Sequence, residues 1–100
     1  MWLLKTDEGA DPAFTFRILP GSEKTIGRAT RVDFIVDADL VSRVHCRVAA
    51  GASGLEVIDL DSTNGTYVNG QRVDRAPLRD GDRLGVGRVE LIVVRATSPA

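Results

Sequence analysis

The chain has 100 residues, which is enough for one domain with a modest hydrophobic core and too few for two. Its 13 Lys and Arg residues nearly balance 14 Asp and Glu residues, so we expect neither nucleic acid nor a membrane among its partners. The single cysteine, Cys46, excludes an internal disulfide and a cysteine-clustered zinc site, and we expect no metal and no cofactor.

The first half of the chain predicts short strands separated by polar turns. Residues 1–6 are apolar and end in a charge, and a polar turn follows them. Apolar and polar residues alternate over residues 14–19 and again over residues 44–49, which is the period of a half-exposed strand. Between these two segments, residues 24–26 predict a third short strand, and an apolar cluster at residues 33–36 predicts another.

The second half contains two Asn-Gly pairs, which are strong turn signals because both residues tolerate positive φ. Strand-like triplets flank Asn69-Gly70 on both sides, so this pair predicts a two-residue β-hairpin. Residues 74–77 predict a turn, and Leu78 leads into another tight turn. Further strands are predicted around these turns, at residues 55–60, 83–86 and 89–94.

No helix-length window has apolar residues at helical spacing between breakers. Roughly ten short strands with frequent Gly, Asn and Asp turns predict an all-β domain, either an antiparallel β-sandwich or a barrel. We expect one domain over residues 1–96, and the small polar residues 97–100 predict the start of a linker or disordered tail. We therefore expect the N-terminal domain of a larger regulatory protein, and a monomeric domain.

The compartment is predicted from what the sequence lacks. No apolar run approaches membrane-spanning length, and residues 1–5 are too short for the apolar core of a signal peptide. The lone cysteine is consistent with a reducing environment. We expect a cytoplasmic protein, or a nuclear one in a eukaryote.

One candidate function is hydrolysis, because Ser42 lies three residues before His45, which is the one histidine of the chain. A nucleophile and base of this kind need a third, orienting carboxylate, and none has an evident place in the sequence. The alternative is that His45 ties a loop to the start of a strand by hydrogen bonds. We favour this alternative because buried polar groups are usually paired, and we expect no catalytic residue and no enzyme.

Two other patterns begin like ligand-binding loops and then depart from them. Gly85-Val86-Gly87 begins like a dinucleotide-binding loop, but Glu90 occupies the position of its third glycine and no helix follows. The run that starts at Asp59 matches the first ligands of a calcium loop, but it lacks the turn glycine and the bidentate glutamate. Neither pattern predicts a site.

The remaining polar residues lie at predicted strand ends and in loops, and such loops converge at one end of a sandwich. Arg28 and Arg43 offer charge and planar guanidinium donors. Ser42 and Thr63 offer hydroxyls, and Asn64 offers an amide. This mixture suits a phosphate dianion on an extended peptide, with donors for the phosphate and an amide for the main chain. The alternative is that the arginines are solvated and each hydroxyl satisfies its own turn, and the residues alone leave both open.

These residues belong to a pattern that resembles the forkhead-associated (FHA) domain family. The family pattern is Gly-Arg, then Ser-x-x-His, then a loop of Ser or Thr, Asn, Gly and Thr, then Asn-Gly, then a Leu-x-Asp-Gly-Asp turn. The corresponding motifs occur here in that order, at Gly27-Arg28, Ser42–His45, Thr63–Thr66, Asn69-Gly70 and Leu78–Asp82. The resemblance therefore covers nearly the whole chain.

The resemblance implies an eleven-stranded β-sandwich that binds phosphothreonine peptides through the loops at one end and catalyses nothing. It implies a threonine-phosphorylated partner and, with it, an upstream Ser/Thr kinase. Arg28 would be the main cationic donor to the phosphate, and Ser42 would donate a hydrogen bond to it. Arg43 would add charge, Thr63 would add a hydroxyl, and Asn64 would hold the peptide main chain.

The resemblance also implies residues that fix the loops without touching the ligand, namely Gly27, His45, Gly65 and Asn69. The large apolar residues Leu40 and Val41 precede Ser42 in a loop. They offer either an apolar contact for a residue after the phosphothreonine or anchors that pack into the sandwich. The acidic residues Asp37 and Asp39 would oppose a dianion unless they point away.

Three functions remain after these observations. We favour a phosphothreonine-dependent interaction module. The second is a β-sandwich interaction domain that binds an unphosphorylated partner through the same face or through a sheet edge. The third, which we favour least, is a small hydrolase that uses Ser42 and His45.

Overall fold

The computed structural model describes residues 1–96, and the tail predicted at residues 97–100 lies outside the described residues. The described residues form eleven β-strands and no helix, which confirms the all-β prediction. None of them therefore lies in a helix of the length and apolarity needed to cross a bilayer. The strands are β1 (Trp2–Lys5), β2 (Thr15–Ile18), β3 (Glu23–Gly27), β4 (Phe34–Ile35), β5 (Cys46–Gly51), β6 (Gly54–Asp59), β7 (Thr66–Val68), β8 (Gln71–Val73), β9 (Arg75–Leu78), β10 (Arg83–Val86) and β11 (Val89–Arg95).

The strands are arranged in two sheets. Six strands form one sheet in the order β2-β1-β11-β10-β7-β8, and five form the other in the order β4-β3-β5-β6-β9. The strand pairs are antiparallel apart from β3 and β4, which run parallel. This is the eleven-stranded β-sandwich that the family resemblance implies, and of the two architectures that the residues alone leave open it is the sandwich.

The core lies between the sheets and consists of alternate residues of their strands. Leu4, Leu84 and Leu91 are fully buried on the six-stranded sheet, and Ile26 and Val57 are fully buried on the five-stranded sheet. Burial of a side chain of this size contributes about 1.5–3 kcal/mol. Alternation therefore decides which face of each strand points inward, because a shift by one residue would expose the whole apolar set.

Cys46 is the first residue of β5 and belongs to this core. Its side chain is fully buried, and burial raises the pKa of the thiol to about 12. Only the thiolate is a good nucleophile and metal ligand, so a thiol that stays protonated is inert. Cys46 is therefore a packing residue.

Aromatic rings close the sandwich where an edge strand of one sheet meets an edge strand of the other. Phe16 on β2 stacks on Phe34 on β4, with ring centroids 4.5 Å apart. Phe14 stacks on Phe16 at 5.6 Å. Stacked aromatic pairs add about 0.5–1.5 kcal/mol beyond the area that they bury. The stack covers the apolar interior along this seam.

The turn predicted at residues 74–77 is wrong, because Arg75–Leu78 form β9 and pair antiparallel with β6. Pro77 is tolerated because β9 is the edge of the five-stranded sheet, where a residue without an N–H group need not lose a partner. Arg75 joins β9 to β6 through two hydrogen bonds to Glu56, at 3.0 and 2.8 Å. Pro77 therefore lies on a sheet edge and not in a turn.

The predicted hairpin is present between β7 and β8. The two strands pair antiparallel across Asn69-Gly70, whose φ angles are 51° and 83°. Consecutive positive φ angles are what a type I′ turn requires, and Asn-Gly is the pair that adopts them most readily. The dipeptide therefore fixes the register of the hairpin.

Candidate functional site

Loops from the two sheets meet at one end of the sandwich and enclose a hollow. The loops that line it follow β3, β4 and β6, and the longest, residues 36–45, is called the β4–β5 loop below. The hollow has a volume of about 480 Å³. It is lined by Arg28, Asp37, Ala38, Asp39, Leu40, Val41, Ser42, Arg43, Thr63 and Asn64. The structure thus brings together all five residues predicted to bind a phosphopeptide.

Arg28 and Arg43 give the hollow its positive charge. The Nε of Arg28 donates a hydrogen bond to the carbonyl oxygen of Val41 at 3.1 Å, which leaves the terminal N–H groups of the guanidinium for a ligand. Both arginines are exposed, and within residues 1–96 neither forms a salt bridge. Their charge is therefore not neutralised by a neighbouring ion pair.

Gly27 allows the β4–β5 loop to approach β3 closely. The N–H of Arg28 donates to the carbonyl of Ser42 at 3.0 Å, and the N–H of Ala29 donates to the carbonyl of Arg43 at 3.0 Å. A β-carbon at position 27 would overlap the carbonyl oxygen of Arg43, so a larger residue would force the two segments apart. This pairing brings Arg28 and Ser42 side by side.

His45 is fully buried and connects two of the loops. Its Nδ1 accepts a hydrogen bond from the N–H of Ser42 at 3.0 Å. Its Nε2 lies 2.8 Å from the carbonyl oxygen of Gly65 and must be the donor there, because a carbonyl only accepts. The imidazole is thus neutral with its proton on Nε2, and both nitrogens are occupied by main-chain groups. His45 therefore does not act as a base toward the Ser42 hydroxyl.

The Ser42 hydroxyl is positioned by the loop that follows β6. Its Oγ accepts a hydrogen bond from the N–H of Thr63 at 3.0 Å. A hydroxyl carries one donor in addition to its acceptor sites, so this bond leaves the Ser42 proton for a ligand. The Thr63 side chain is exposed beside it and lines the same hollow.

Asp59 is a supporting residue that the sequence reasoning missed. Ser62 Oγ donates to Asp59 Oδ1 at 2.5 Å and Thr66 Oγ1 donates to it at 2.7 Å, while the N–H of Ser62 donates to Oδ2 at 3.2 Å. Burial alone would raise the pKa of Asp59, but these hydrogen bonds outweigh it and lower the pKa below its ordinary value. The available signal was the spacing of an aspartate three residues before a serine, which is typical of a side chain that accepts from its own turn.

Asn64 connects the loop after β6 to the β4–β5 loop. Its Nδ2 donates a hydrogen bond to the carbonyl oxygen of Leu40 at 3.1 Å. Leu40 has a φ of 70°, an angle that residues with a β-carbon adopt rarely, so its backbone conformation needs external support. The Oδ1 of Asn64 has no partner within residues 1–96. The amide therefore supports the site with one end and offers an acceptor with the other.

The two adjacent apolar residues of the β4–β5 loop have different environments. Val41 is 3 % exposed and belongs to the hydrophobic core. Leu40 is 45 % exposed and lines the hollow. Of the two alternatives for this pair, the anchoring role describes Val41, and Leu40 alone can offer its side chain to a ligand.

Asp37 and Asp39 also line the hollow, and both are exposed. Within the described part of the chain neither forms a salt bridge. The hollow is therefore lined by two exposed arginines and by two exposed aspartates. An anion is attracted here only where the guanidinium groups lie closer to it than the carboxylates do.

Comparison with known proteins gives the family. Residues 24–87 match the family model described as the FHA domain. The chain belongs to the FHA domain family. The match runs from β3 into the turn after β10 and contains every motif that lines the hollow.

Two curated relatives illustrate where such domains occur. The chain is 40 % identical over 79 residues to the ABC transporter ATP-binding/permease protein Rv1747 of Mycobacterium tuberculosis, a match that covers 79 % of this chain and 9 % of the transporter. It is 33 % identical over 90 residues to the glycogen accumulation regulator GarA of Mycolicibacterium smegmatis, covering 90 % of this chain and 56 % of the regulator. The chain thus matches a small part of the first relative's length and about half of the second relative's length.

Two solved structures share the fold over nearly their whole length. One comes from a structural and functional analysis of phosphothreonine-dependent FHA domain interactions, with a TM-score of 0.81, 32 % identity, and coverage of 96 % of this chain and 97 % of that one. The other is the FhaA FHA domain complexed with the intracellular domain of Rv3910, with a TM-score of 0.82, 33 % identity, and coverage of 93 % and 99 %.

In this FHA domain Asn69 does not support the hollow, which corrects the expectation for that residue. Asn69 lies at the far end of β7, away from Thr66 and the site. Its Nδ2 donates to Asp82 Oδ1 at 3.1 Å, and its Oδ1 accepts from the N–H of Arg83 at 3.0 Å. It ties the β7–β8 hairpin to the turn before β10. The physical reason is strand direction, because successive hairpin turns alternate between the two ends of a sandwich.

Proposed function

We propose that this FHA domain binds phosphothreonine-containing segments of partner proteins in the hollow, and so mediates phosphorylation-dependent protein–protein interaction. The observation that supports the proposal most directly is the convergence of Arg28, Ser42 and Asn64 on one hollow with their ligand-facing donors and acceptors unused. The partner is a protein phosphorylated on threonine, and a Ser/Thr kinase supplies the mark.

The phosphate is held by donors on two loops. Arg28 donates through its terminal N–H groups and Ser42 through its hydroxyl, because their other polar atoms are already occupied by the protein. Arg43 adds charge, and Thr63 adds a second hydroxyl. Planar guanidinium groups match phosphate oxygens in geometry as well as in charge. The donors are preorganised, so little rearrangement is needed on binding.

The expected affinity follows from the number of these contacts. A hydrogen bond to a charged group contributes roughly 1.5–3 kcal/mol. Three or four such bonds, less the cost of ordering a peptide, leave about −8 kcal/mol, which corresponds to a dissociation constant of about 1 μM. Most of this free energy comes from the phosphate, so phosphorylation of the partner switches binding on.

The peptide on either side of the phosphothreonine contacts two further residues. The free Oδ1 of Asn64 accepts a hydrogen bond from the peptide main chain, which positions the peptide without selecting its sequence. The exposed side chain of Leu40 contacts an apolar residue a few positions after the phosphothreonine. The preference for threonine over serine is worth about 0.8 kcal/mol if its one extra methyl group is buried.

The proposal includes binding without catalysis and a location in the cytoplasm. Absence of catalysis is supported by His45, whose two ring nitrogens are bonded to main-chain groups and not to the Ser42 hydroxyl. The cytoplasmic location is supported by the proposed ligand, because protein kinases that phosphorylate threonine use cytoplasmic ATP.

Paired peptides test the proposed function. A panel of phosphothreonine peptides, each matched with a plain threonine and a phosphoserine version, is titrated into the purified domain by calorimetry. We expect binding of the best phosphothreonine peptides at about 1 μM and no measurable heat with their plain versions. A library with no apolar preference after the phosphothreonine would contradict the role of Leu40.

The competing functions predict other results. Equal affinity for plain and phosphorylated peptides would replace the proposal with an interaction domain for unphosphorylated partners. Turnover of an ester substrate that disappears in Ser42→Ala would replace it with a hydrolase.

A further inference from the structure

The turn between β10 and β11 lies against the back of the β4–β5 loop. Gly87 in this turn has a φ of +60°. A β-carbon at this position would lie 2.8 Å from Cγ2 of Val41, 3.0 Å from the carbonyl oxygen of Asp39 and 3.0 Å from the carbonyl carbon of Leu40. All three distances are shorter than ordinary van der Waals contact. The space that a side chain at position 87 would need is therefore occupied by three consecutive residues of the loop that lines the hollow.

The same segment of the loop holds two ligand-binding side chains. The carbonyl oxygen of Val41 accepts the hydrogen bond from Arg28 Nε, and the carbonyl oxygen of Leu40 accepts the hydrogen bond from Asn64 Nδ2. Leu40 also has the rarely adopted φ of 70°. A displacement of these two carbonyls would therefore move the guanidinium and the carboxamide together.

We propose that Gly87 is a positioning residue for phosphopeptide binding: the absence of a side chain there lets the β10–β11 turn set the place of the Leu40 and Val41 carbonyls. Gly87 itself does not line the hollow and touches no ligand. The inference rests on the proposed function, and it adds a residue from a turn of the six-stranded sheet to a site otherwise formed by other loops. It also gives a role to a glycine that the dinucleotide-binding pattern did not explain.

The competing explanation is that position 87 needs glycine for its own φ alone. Gly81 is the matched control, because it has a φ of +89° in a turn at the other end of the sandwich and nothing lies within 4 Å of the β-carbon that it would carry. Substitution of either glycine by alanine imposes the same kind of backbone strain. Substitution at position 87 alone also pushes on the β4–β5 loop.

The experiment compares Gly87→Ala with Gly81→Ala in the complete chain. Each variant is titrated with the best phosphothreonine peptide and with its plain version, and its thermal melt is recorded. We expect Gly87→Ala to lose about tenfold or more in affinity for the phosphopeptide, because small displacements of preorganised donors are costly. Gly81→Ala should bind within about twofold of the parent whatever its melting temperature. Equal affinities of the two folded variants would overturn the inference.

A second pair of variants covers the outcome in which Gly87→Ala does not fold. Asparagine tolerates positive φ, so Gly87→Asn and Gly81→Asn keep the turn conformation while adding a β-carbon. NMR spectra without peptide then report the loop directly. We expect the amide signals of Leu40 and Ser42 and the carboxamide signal of Asn64 to shift in Gly87→Asn and to remain in place in Gly81→Asn.

The spectra separate the inference from the proposed function. Unchanged loop signals in Gly87→Asn would overturn the inference even if the parent binds phosphopeptide. If the loop signals shift in Gly87→Asn but the parent binds no phosphopeptide, the proposed function is wrong. The binding role of Gly87 is then also wrong, while the contact between position 87 and the loop is established.

Discussion

The two ends of the sandwich are built from similar residues and use them differently. At the end away from the hollow, the side chains of Asn69, Asp80 and Asp82 are all hydrogen-bonded within the protein. At the hollow, the terminal N–H groups of Arg28 and the Oδ1 of Asn64 are left for a ligand. Loops rich in Asn, Asp and Gly therefore occur at both ends. At the structural end the Asn and Asp side chains are bonded to neighbouring turns, whereas at the hollow several donors and acceptors are left unused side by side.

The difference has a physical cause in how each end is closed. At the structural end, aspartate oxygens accept from main-chain N–H groups of neighbouring turns, as Asp82 does from Arg79 at 2.8 Å and Asp80 does from Arg95 at 2.8 Å. At the hollow, the fully buried His45 and the half-buried Asp59 make the corresponding hydrogen bonds to the loops from inside the sandwich.

Removal of the His45 side chain should have the largest effect of these substitutions, because this side chain supports the binding end from inside. His45→Ala leaves the N–H of Ser42 and the carbonyl of Gly65 buried without partners and opens a cavity. We expect a loss of about 3 kcal/mol in the free energy of unfolding, measured by urea denaturation. A variant as stable as the parent would show that the loops are held by something else.

Substitution of Arg28 should abolish the function of the binding end and leave its fold intact. We expect Arg28→Ala to lower phosphopeptide affinity by about 100-fold, equivalent to ~2.7 kcal/mol, while the variant still melts as a folded domain despite the loss of the hydrogen bond to Val41. Arg79→Ala is the control, because Arg79 is an exposed arginine at the structural end. If calorimetry gave the two variants the same affinity, the charge at the hollow would not be what binds phosphate.

Substitution of Asn69 should lower the stability of the domain and leave phosphopeptide binding intact. Asn69→Ala removes hydrogen bonds to Asp82 and Arg83 and places alanine at a φ of 51°. We expect a loss of about 1–2 kcal/mol in unfolding free energy and phosphopeptide affinity within about twofold of the parent. A large loss of affinity in the folded variant would mean that the two ends are coupled and that the comparison fails.

The smallest expected effect is the pH dependence that Asp59 gives to the binding end. Because hydrogen bonds lower its pKa in the folded protein, Asp59 stabilises the fold above the pKa of an unfolded aspartate, about 3.9, and this contribution is lost as the pH falls through the lower folded value. Urea denaturation below about pH 4 should therefore show a steeper loss in the parent than in Asp59→Asn. Asp61→Asn removes the same charge two residues away and should behave like the parent.

Much of the fold could be predicted because apolar and polar residues alternate along strands that are buried on one face. Apolar periodicity predicts strands at residues 83–86 and 89–94, and β10 and β11 occupy almost the same positions. The strand at Arg75–Leu78 could not be predicted in this way, since Pro77 breaks a central strand and is harmless on an edge. Which strand becomes an edge depends on sheet order, which local sequence does not contain.

The candidate site was predictable in its members and less so in their roles. The order of the motifs predicts that Arg28 and Ser42 lie together, but only the structure shows that Ser62 supports the loop by bonding to Asp59. Leu40 and Val41 are chemically alike, and only the loop geometry buries one and exposes the other. Side-chain direction in a loop depends on φ and on contacts from elsewhere in the chain, such as Gly87, and not on residue type.

One consequence follows from the partners that His45 uses. Both of its hydrogen bonds end on peptide groups, one from residue 42 and one from residue 65, so these two links do not depend on the side chains at those positions. Leu40 and Thr63 also join the hydrogen bonds between the loops only through their main chain. Exchanges at positions such as 40 and 63 can therefore alter which phosphorylated sequence is preferred without disturbing the spacing of the loops. A domain constructed in this way can acquire new partners by surface changes alone.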